Sequence, residues 1–319
     1  MYKYFTNRAI GLLYHFLLDQ GKYIDTWLLP SQICFSVPYL FLKLGKKVIF
    51  YDFGFSHIDV LRLFTGKEGV LIVDYFGTEW DIEQVSIIKD TVPCLIHDKC
   101  LSVCNPDYPY KADLTIFSSG KGKVVDMGYG GFGIAINKLN IENKVNNLKS
   151  INYENFYNKK DFYWKQIING NRRFCLREVS GSWIDIYSNL IDENYEKSFF
   201  EKQNKSIQHK NLLNQIYRSI IPADLYFHQT SNIWRFNLLI TNKSKLLNSI
   251  FMNNLFASSH YVNVAKYIMR QDTLVRSDII ENHIVNLFND FNFDIEKAER
   301  CARIVRSLFE RNIIRPKSI

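Results

Sequence analysis

Short apolar runs alternate with longer stretches of helical periodicity over the first 140 residues. The apolar runs are rich in β-branched or aromatic residues and are bounded by Gly, Pro or Asp, a pattern typical of buried strands. They occupy residues 46–53, 69–76, 93–98, 112–119 and 131–137. The helical patterns occupy residues 5–19, 32–43, 55–65 and 79–90. This alternation predicts an α/β fold with a mostly parallel sheet covered by helices.

The pattern changes in the second half of the chain. Residues 138–170 are polar and rich in Asn and Lys, which indicates a surface crossing between domains. Strands are predicted at 232–241 and 283–288, and a helix at 243–255. Asp294 can cap a last helix whose apolar positions share one face. These positions are Ala298, Cys301, Val305 and Leu308.

These patterns predict three parts of the chain. We expect a large α/β domain at residues 1–170, a helical connection at 171–220 and a small C-terminal α+β domain at 221–319. The length of 319 residues, with 47% hydrophobic and 23% charged residues, suits such a globular protein.

Charge and hydropathy limit the partners. The net charge is +8, but no basic run is longer than two residues, so we expect a solvated basic surface that attracts anionic substrates and no nucleic-acid partner. The most apolar early stretch, residues 26–42, contains Pro30, Gln32 and Pro38, so no membrane insertion is predicted. The sequence shows no signal peptide, which favours a cytoplasmic protein with reduced thiols. Cys100 and Cys104 form the only close cysteine pair, and no metal site is predicted.

The stretch FSSGKGKVVDMGYGGFG, residues 117–133, carries the candidate chemistry. Lys121 and Lys123 lie among its glycines, and such a lysine can grip a phosphate or act as a nucleophile. Asp98 and Ser118 end two predicted strands, where ligands bind in open α/β sheets. Pyridoxal phosphate requires a lysine for its Schiff base, a carboxylate for its ring nitrogen and hydroxyl or amide donors for its phosphate. The three residue types therefore suit that cofactor.

The same residues resemble the DegT/StrS type of sugar aminotransferase, a pyridoxal-phosphate family with the aspartate-aminotransferase fold. Phe117-Ser118, Lys123 five residues after the serine, and the glycines at 128, 130 and 131 are similar to the family's F-S-F-x-x-x-K-x-x-x-x-G-E-G-G stretch. His97-Asp98 resembles its E-D pair. This register selects Lys123 over Lys121. The similarity covers most of the chain, and residues 138–220 match least.

The resemblance implies roles for particular residues. Lys123 would form the Schiff base, and Asp98 would pair with the ring nitrogen. Ser118 and the amides near Asn7 and Arg8 would bind the phosphate. Two further implications concern the walls of the site. Cys34 stands where an aromatic often stacks on the ring, and the stretch containing His260 and Tyr261 resembles a segment that lines the sugar pocket.

The family also implies an activity. It predicts a homodimer that transfers an amino group from an amino acid, with glutamate as the expected donor, to a nucleotide-linked keto-sugar for surface polysaccharide synthesis. Two departures leave alternatives open, because Leu101 replaces a glutamine and Tyr129 replaces an acidic residue. A G-x-N-x-R stretch, which serves the dimer mate's phosphate site in the family, is also missing. Another pyridoxal-phosphate reaction, or an inactive homologue that binds a nucleotide sugar or a phosphate ligand, remains the alternative.

Overall fold

A seven-stranded mixed sheet forms the N-terminal part of the protein. The computed structural model describes residues 1–105, 107–140, 194–269 and 274–319. The strands are β1 (Tyr2–Thr6), β2 (Thr26–Pro30), β3 (Lys47–Tyr51), β4 (Gly69–Val73), β5 (Leu95–Asp98), β6 (Leu114–Ser118) and β7 (Gly131–Ala135). Their order is β1-β7-β6-β5-β4-β2-β3. The pairs from β3 to β6 are parallel, whereas β7 is antiparallel to β6 and β1. The carboxyl ends of β2 to β6 therefore meet at one edge.

Helices cover both faces of this sheet. They are α1 (Ala9–Asp19), α2 (Ser36–Lys43), α3 (His57–Leu61) and α4 (Ile82–Thr91). Alternate strand residues face opposite sides. Leu71 and Ile96 therefore join the core under α1 and α2, whereas Val70, Ile72 and Leu95 join the core under α3 and α4. Burial on both faces explains why these strands read as continuous apolar runs.

The C-terminal part forms a second sheet. Its elements are α5 (Tyr195–Ile220), β8 (Phe236–Leu239), α6 (Lys243–Met252), β9 (Ala257–Ser258), α7 (Val264–Ile268), α8 (Val275–His283), β10 (Ile284–Leu287) and α9 (Ile295–Glu310). The antiparallel order is β8-β10-β9. All four predicted apolar positions of α9 are buried, and Oδ1 of Asp294 accepts a hydrogen bond from the amide of Lys297 at 2.8 Å, as the predicted cap requires.

Helices α7 and α8 belong to the core of the large sheet. Val264, Ala265 and Ile280 are buried in that core. The amide of Val264 donates to the carbonyl of Ser31 at 2.9 Å, just beyond β2. The packing of α7 and α8, called the α7–α8 excursion below, fixes the C-terminal part to the carboxyl edge of the large sheet. The N-terminal and C-terminal parts can therefore line one site.

The predicted fold class is confirmed, and several local predictions are corrected. The helix expected from residue 5 begins at Ala9, because residues Tyr2–Thr6 form an edge strand. Strands β2 and β9 were not predicted. The expected boundary at residue 170 and the first part of the helical connection, 171–193, lie outside the described residues. In the described part of the chain, no helix has the length and apolar character needed to cross a membrane.

Candidate active site

The carboxyl ends of β5 and β6 open into a cavity of about 240 Å³. Side chains from both parts of the chain line it, and they include every site residue that the sequence predicts. These are Asn7, Arg8, Cys34, Asp98, Ser118, Lys123, His260 and Tyr261. Their positions are spread over 255 residues of sequence, and the parallel sheet together with the α7–α8 excursion brings them to one place. Their chemical roles remain predictions.

Asp98 is held rigidly at the floor of the cavity. It is the last residue of β5 and is 6% exposed. Its Oδ1 accepts a hydrogen bond from the amide of Cys100 at 2.9 Å, and its carbonyl accepts from the amide of Asp74 at 3.0 Å. The amide and the thiol of Cys100 therefore hold the carboxylate in place, and the neighbouring strand fixes the backbone.

Lys123 lies in a loop that an aspartate closes. The amides of Gly122 and Gly128 donate to Oδ2 and Oδ1 of Asp126 at 2.7 and 2.9 Å. Both glycines have positive φ, of 75° and 79°, a conformation that glycine adopts at little cost. Nε1 of Trp234 donates to the carbonyl of Gly122 at 2.8 Å, which ties this loop to the C-terminal part. These contacts hold the backbone next to Lys123 in place.

Acidic groups surround the Lys123 amine. Burial lowers the pKa of Lys123, but Tyr261, Cys100, Cys34 and Asp98 outweigh burial and raise it above its ordinary value. Burial also raises the pKa of Tyr261 and of the Cys100 thiol. At neutral pH the tyrosine and the thiol are therefore uncharged, so their effect on Lys123 applies only at high pH, and Asp98 is the neighbour that favours the ammonium form of Lys123 near pH 7.

The other end of the cavity is built around the N-terminus of α1. The amide of Gly130 donates to the carbonyl of Asn7 at 2.7 Å, and a Cβ on Gly131 would lie 2.1 Å from the amide nitrogen of Ala9. Only glycine at 131 permits this approach. Nδ2 of Asn7 is buried and has no hydrogen-bond partner among the described residues. Ser118 ends β6 on the same side, and its Oγ accepts from the amide of Gly120 at 3.3 Å. This end offers donors to an anion.

The C-terminal part supplies an aromatic and cationic wall. The rings of Trp234 and Tyr261 stack, with centroids 6.2 Å apart and planes 15° apart. The amide of His260 donates to Oδ1 of Asn286 at 2.8 Å. Arg235 also lines the cavity, and its Nη1 donates to Oγ of Ser258 at 2.7 Å.

The sequence did not single out several of these residues. Asp126, Trp234 and Arg235 carried no motif, although an aspartate between two glycines of a loop is a signal for a clamp. Leu101 and Tyr129, which depart from the family pattern, also line the cavity. Arg235 adds a cation to the site, Trp234 adds an indole and Leu101 adds an apolar wall.

His97 lies outside the cavity, although it precedes Asp98. It is buried, and its Nε2 lies 2.6 Å from Oδ1 of Asp74 on the other side of the sheet. Within the described ranges no cluster of His, Cys, Asp or Glu suits a metal ion, and Cys104 is buried, with its Sγ 3.8 Å from the Tyr110 hydroxyl.

Known structures share this architecture. No protein-family model and no curated protein matches the chain. Helicobacter pylori PseC, an aminotransferase of pseudoaminic acid biosynthesis, is 14% identical with a TM-score of 0.71, over 98% of this chain and 87% of that one. The pyridoxal-phosphate form of the putative sugar aminotransferase Spr1654 from Streptococcus pneumoniae is 13% identical with a TM-score of 0.68, over 97% and 87%. DesI with its TDP-sugar product is 14% identical with a TM-score of 0.69, over 98% and 82%.

These similarities define the class of fold. The chain has the fold of pyridoxal-phosphate-dependent sugar aminotransferases, with a mostly parallel large sheet and a small C-terminal α+β part. In open sheets of this type the ligand site lies at the carboxyl edge, and the cavity is found there.

Proposed function

We propose that the protein is a pyridoxal-phosphate-dependent aminotransferase that acts on a nucleotide-linked keto-sugar. One observation carries this proposal. Lys123, Asp98 and Asn7, whose buried side-chain Nδ2 has no hydrogen-bond partner among the described residues, line a single cavity at the carboxyl edge of the sheet. A reactive amine, a carboxylate and an anion-binding end are the three features that the cofactor requires.

The residues present fit the cofactor. The buried Nδ2 of Asn7 lacks a partner in the described structure, and an unsatisfied buried donor costs about 1–3 kcal/mol unless a ligand accepts its hydrogen bond. A phosphate next to the first amides of α1 would accept it, and Ser118 would add a hydroxyl. Asp98, whose carboxylate the amide of Cys100 holds in place, would pair with a protonated ring nitrogen. Lys123 lies in the loop that Asp126 closes.

The proposed mechanism assigns tasks to these side chains. When bound, pyridoxal phosphate supplies an electron-withdrawing ring that stabilises negative charge on the Cα of an amino acid attached to it. Asp98 would keep the ring nitrogen protonated, which maintains that electron withdrawal. Nζ of Lys123 would hold the cofactor and, once displaced by the amino donor, would take the proton from Cα of that donor. Tyr261 and Cys34, which line the cavity, would help to exclude water from this centre.

The substrate proposal rests on charge and on the similar structures. Arg8, Lys121, Lys123 and Arg235 line the cavity, and Asp98 is the single acidic residue among its described lining residues. Such a wall favours substrates that carry several negative charges, as a nucleotide sugar and glutamate do. DesI, with a comparable fold, was solved with a TDP-sugar product. We further propose glutamate as the donor, a cytoplasmic homodimer as the active unit and surface polysaccharide synthesis as the pathway.

A specific observation favours a second candidate. Leu101 is buried and forms an apolar wall where the resemblance leads to an amide. An apolar side chain cannot donate a hydrogen bond to the ring hydroxyl. Either a different pyridoxal-phosphate reaction or an inactive homologue that binds a nucleotide sugar would be compatible with this wall.

Visible absorbance spectra of the purified protein with added pyridoxal phosphate test the proposal. Wild type and Lys121→Ala should develop the band of a lysine-linked cofactor, which borohydride removes, and Lys123→Ala should not. Glutamate should then convert the band of the wild type to that of the amine form of the cofactor. A protein that forms the band but does not respond to any amino donor would support the second candidate. Absence of the band in all three proteins would refute both aminotransferase chemistry and any other reaction of this cofactor.

A further inference from the structure

Arg235 is a buried cation in the wall of the cavity. It is 7% exposed and directly precedes β8. Its guanidinium lies over the ring of Phe288, 3.5 Å from the centroid, and 4.8 Å from the centroid of the Trp234 ring. The contacts with the two rings hold the guanidinium in place at the cavity wall.

Most donors of this guanidinium are unused. Arginine carries five N–H donors, and among the described residues the only hydrogen bond of Arg235 is the one from Nη1 to Ser258 at 2.7 Å. A Cβ on Gly122 would lie 3.8 Å from Nη2, so this nitrogen faces the loop that carries Lys123. Within the described ranges, no carboxylate lies within ion-pair distance of the group.

The described surroundings of Arg235 contain a second cation and no carboxylate in direct contact with the guanidinium. Burial lowers the pKa of Arg235 to about 10, although the more distant Asp290 and Tyr261 act in the opposite direction. Lys210 is a second buried cation nearby, and its Nζ donates to the carbonyl of Trp234 at 3.0 Å. A buried charge without a carboxylate at ion-pair distance is costly, and an anionic ligand would reduce that cost.

We propose that Arg235 binds an oxyanion group of a substrate in this cavity, either a carboxylate or a phosphate. The planar fork of arginine suits both groups because it can donate two parallel hydrogen bonds. The identity of the substrate rests on the proposed function. Under that function, the oxyanion group is either the carboxylate of the amino donor or the diphosphate of the nucleotide sugar.

The test measures binding of two probes that do not react. Glutarate is a dicarboxylate without an amine, and UDP is a nucleoside diphosphate without a sugar. Each is titrated calorimetrically into wild type, Arg235→Gln, Arg235→Lys and Arg303→Gln. Arg303 lies on the exposed face of α9, paired with Glu299, and its substitution removes the same charge outside the cavity.

Arg235→Gln should weaken one probe at least tenfold, and Arg235→Lys should weaken it at least threefold because an ammonium lacks the fork. Weaker binding of glutarate identifies the donor carboxylate as the ligand of Arg235, and weaker binding of UDP identifies the nucleotide phosphates. Arg303→Gln should leave both within twofold of wild type. Unchanged affinities in both Arg235 variants, or failure of both probes to bind the wild type, would overturn the proposal. Should Arg235→Gln not fold, as judged by circular dichroism, the threefold criterion for Arg235→Lys decides.

These measurements are independent of the cofactor band. Probe binding that depends on Arg235 in a protein without the band would support the oxyanion site and refute the aminotransferase. A band that forms normally while neither Arg235 variant changes probe binding would refute the oxyanion site and leave the aminotransferase proposal standing.

Discussion

Oδ1 of Asp74 lies 2.6 Å from Nε2 of His97, on the side of β5 that faces away from the cavity. Oδ2 of the same carboxylate lies 2.7 Å from Nζ of Lys99. His97 and Lys99 flank Asp98 in sequence, so one buried carboxylate holds the two neighbours of the residue proposed to pair with the cofactor ring. This pairing explains why His97 is absent from the cavity.

Removal of this carboxylate should destabilise the fold. In Asp74→Ala the one remaining ion-pair partner of Lys99 among the described residues is Glu79, at 3.0 Å, and the Glu79 side chain is half-exposed to solvent. We therefore expect a loss of about 3–5 kcal/mol in the free energy of unfolding. Urea denaturation at neutral pH measures it. The exposed Asp90→Ala should stay within about 0.5 kcal/mol of wild type. A loss below about 1 kcal/mol for Asp74→Ala would show that the buried cluster does not stabilise the protein.

The same carboxylate predicts a pH dependence at acid pH. Burial raises the pKa of Asp74, but His97 and Lys99 outweigh burial and lower it to about 2. An unfolded aspartate titrates near 3.9, so this contribution is complete above about pH 4 and is lost as the pH falls toward about 2. The stability difference between wild type and Asp74→Ala should therefore shrink below pH 4. A difference that stays constant from pH 5 to pH 2.5 would contradict the lowered pKa.

Asp126 should control the affinity of the protein for the cofactor. Asp126→Ala removes the acceptor for the amides of Gly122 and Gly128, so the loop is no longer closed around Lys123. Hydrogen bonds to a charged group contribute about 1.5–3 kcal/mol, and we expect at least a tenfold weaker affinity for pyridoxal phosphate together with a lower melting temperature. An absorbance titration measures the affinity. Asp126→Asn keeps one acceptor, so its affinity for the cofactor should lie between those of wild type and Asp126→Ala. Equal affinity in wild type and both variants would exclude a role for the Asp126 hydrogen bonds in cofactor binding.

The sequence predicted the central strands and the neighbourhood of Lys123 for physical reasons. A strand buried on both faces, such as Gly69–Val73, must be a continuous apolar run. Residues that end parallel strands meet at one edge, so the sequence pattern alone was enough to place Asp98 and Ser118 together.

Other features depend on contacts that sequence patterns do not encode. Strand β1 is a partly exposed edge strand that contains Lys3, and it forms by pairing with β7 more than 120 residues away. Arg235 resembles an ordinary charge at the start of a strand. Its environment is made by Ser258 and Phe288, which are distant in sequence, so its burial could be found only from the fold.

The contact between Gly131 and α1 should be sensitive to a single methyl group. A Cβ at 131 would collide with the backbone of Ala9, which cannot rotate away as a side chain could. Gly131→Ala should cost about 1–3 kcal/mol or more and weaken cofactor binding, because the amides at the start of α1 must shift. Gly66→Ala is the matched control, since it lies in open space with φ of 112°. It should cost about 1 kcal/mol from backbone strain alone and leave cofactor affinity unchanged. Wild-type cofactor affinity in Gly131→Ala would refute the role of this contact.

We expect a second pH dependence of stability, at alkaline pH, from Lys210. Burial causes it, whereas neighbouring charges cause that of Asp74. Its Nζ is buried and donates to the carbonyl of Trp234 and to Oδ1 of Asn289, both at 3.0 Å, and burial lowers its pKa to about 8. An unfolded lysine titrates near 10.4, so between about pH 8 and pH 10 the unfolded chain binds more protons than the folded chain. The contribution of Lys210 to stability is therefore complete above about pH 10 and is lost as the pH falls toward 8.

Lys210→Met removes this titration and should flatten the pH profile. In the unfolded chain, cysteines and tyrosines also lose protons in this range, so the informative quantity is the difference between wild type and variant at each pH. We expect the free energy of unfolding of wild type to rise relative to Lys210→Met by on the order of 2–3 kcal/mol from pH 8 to pH 10. Urea denaturation at half-unit intervals measures it, with the exposed Lys205→Met as control. If the difference for Lys210→Met is as flat as that for Lys205→Met, then Lys210 is not a buried cation with a lowered pKa.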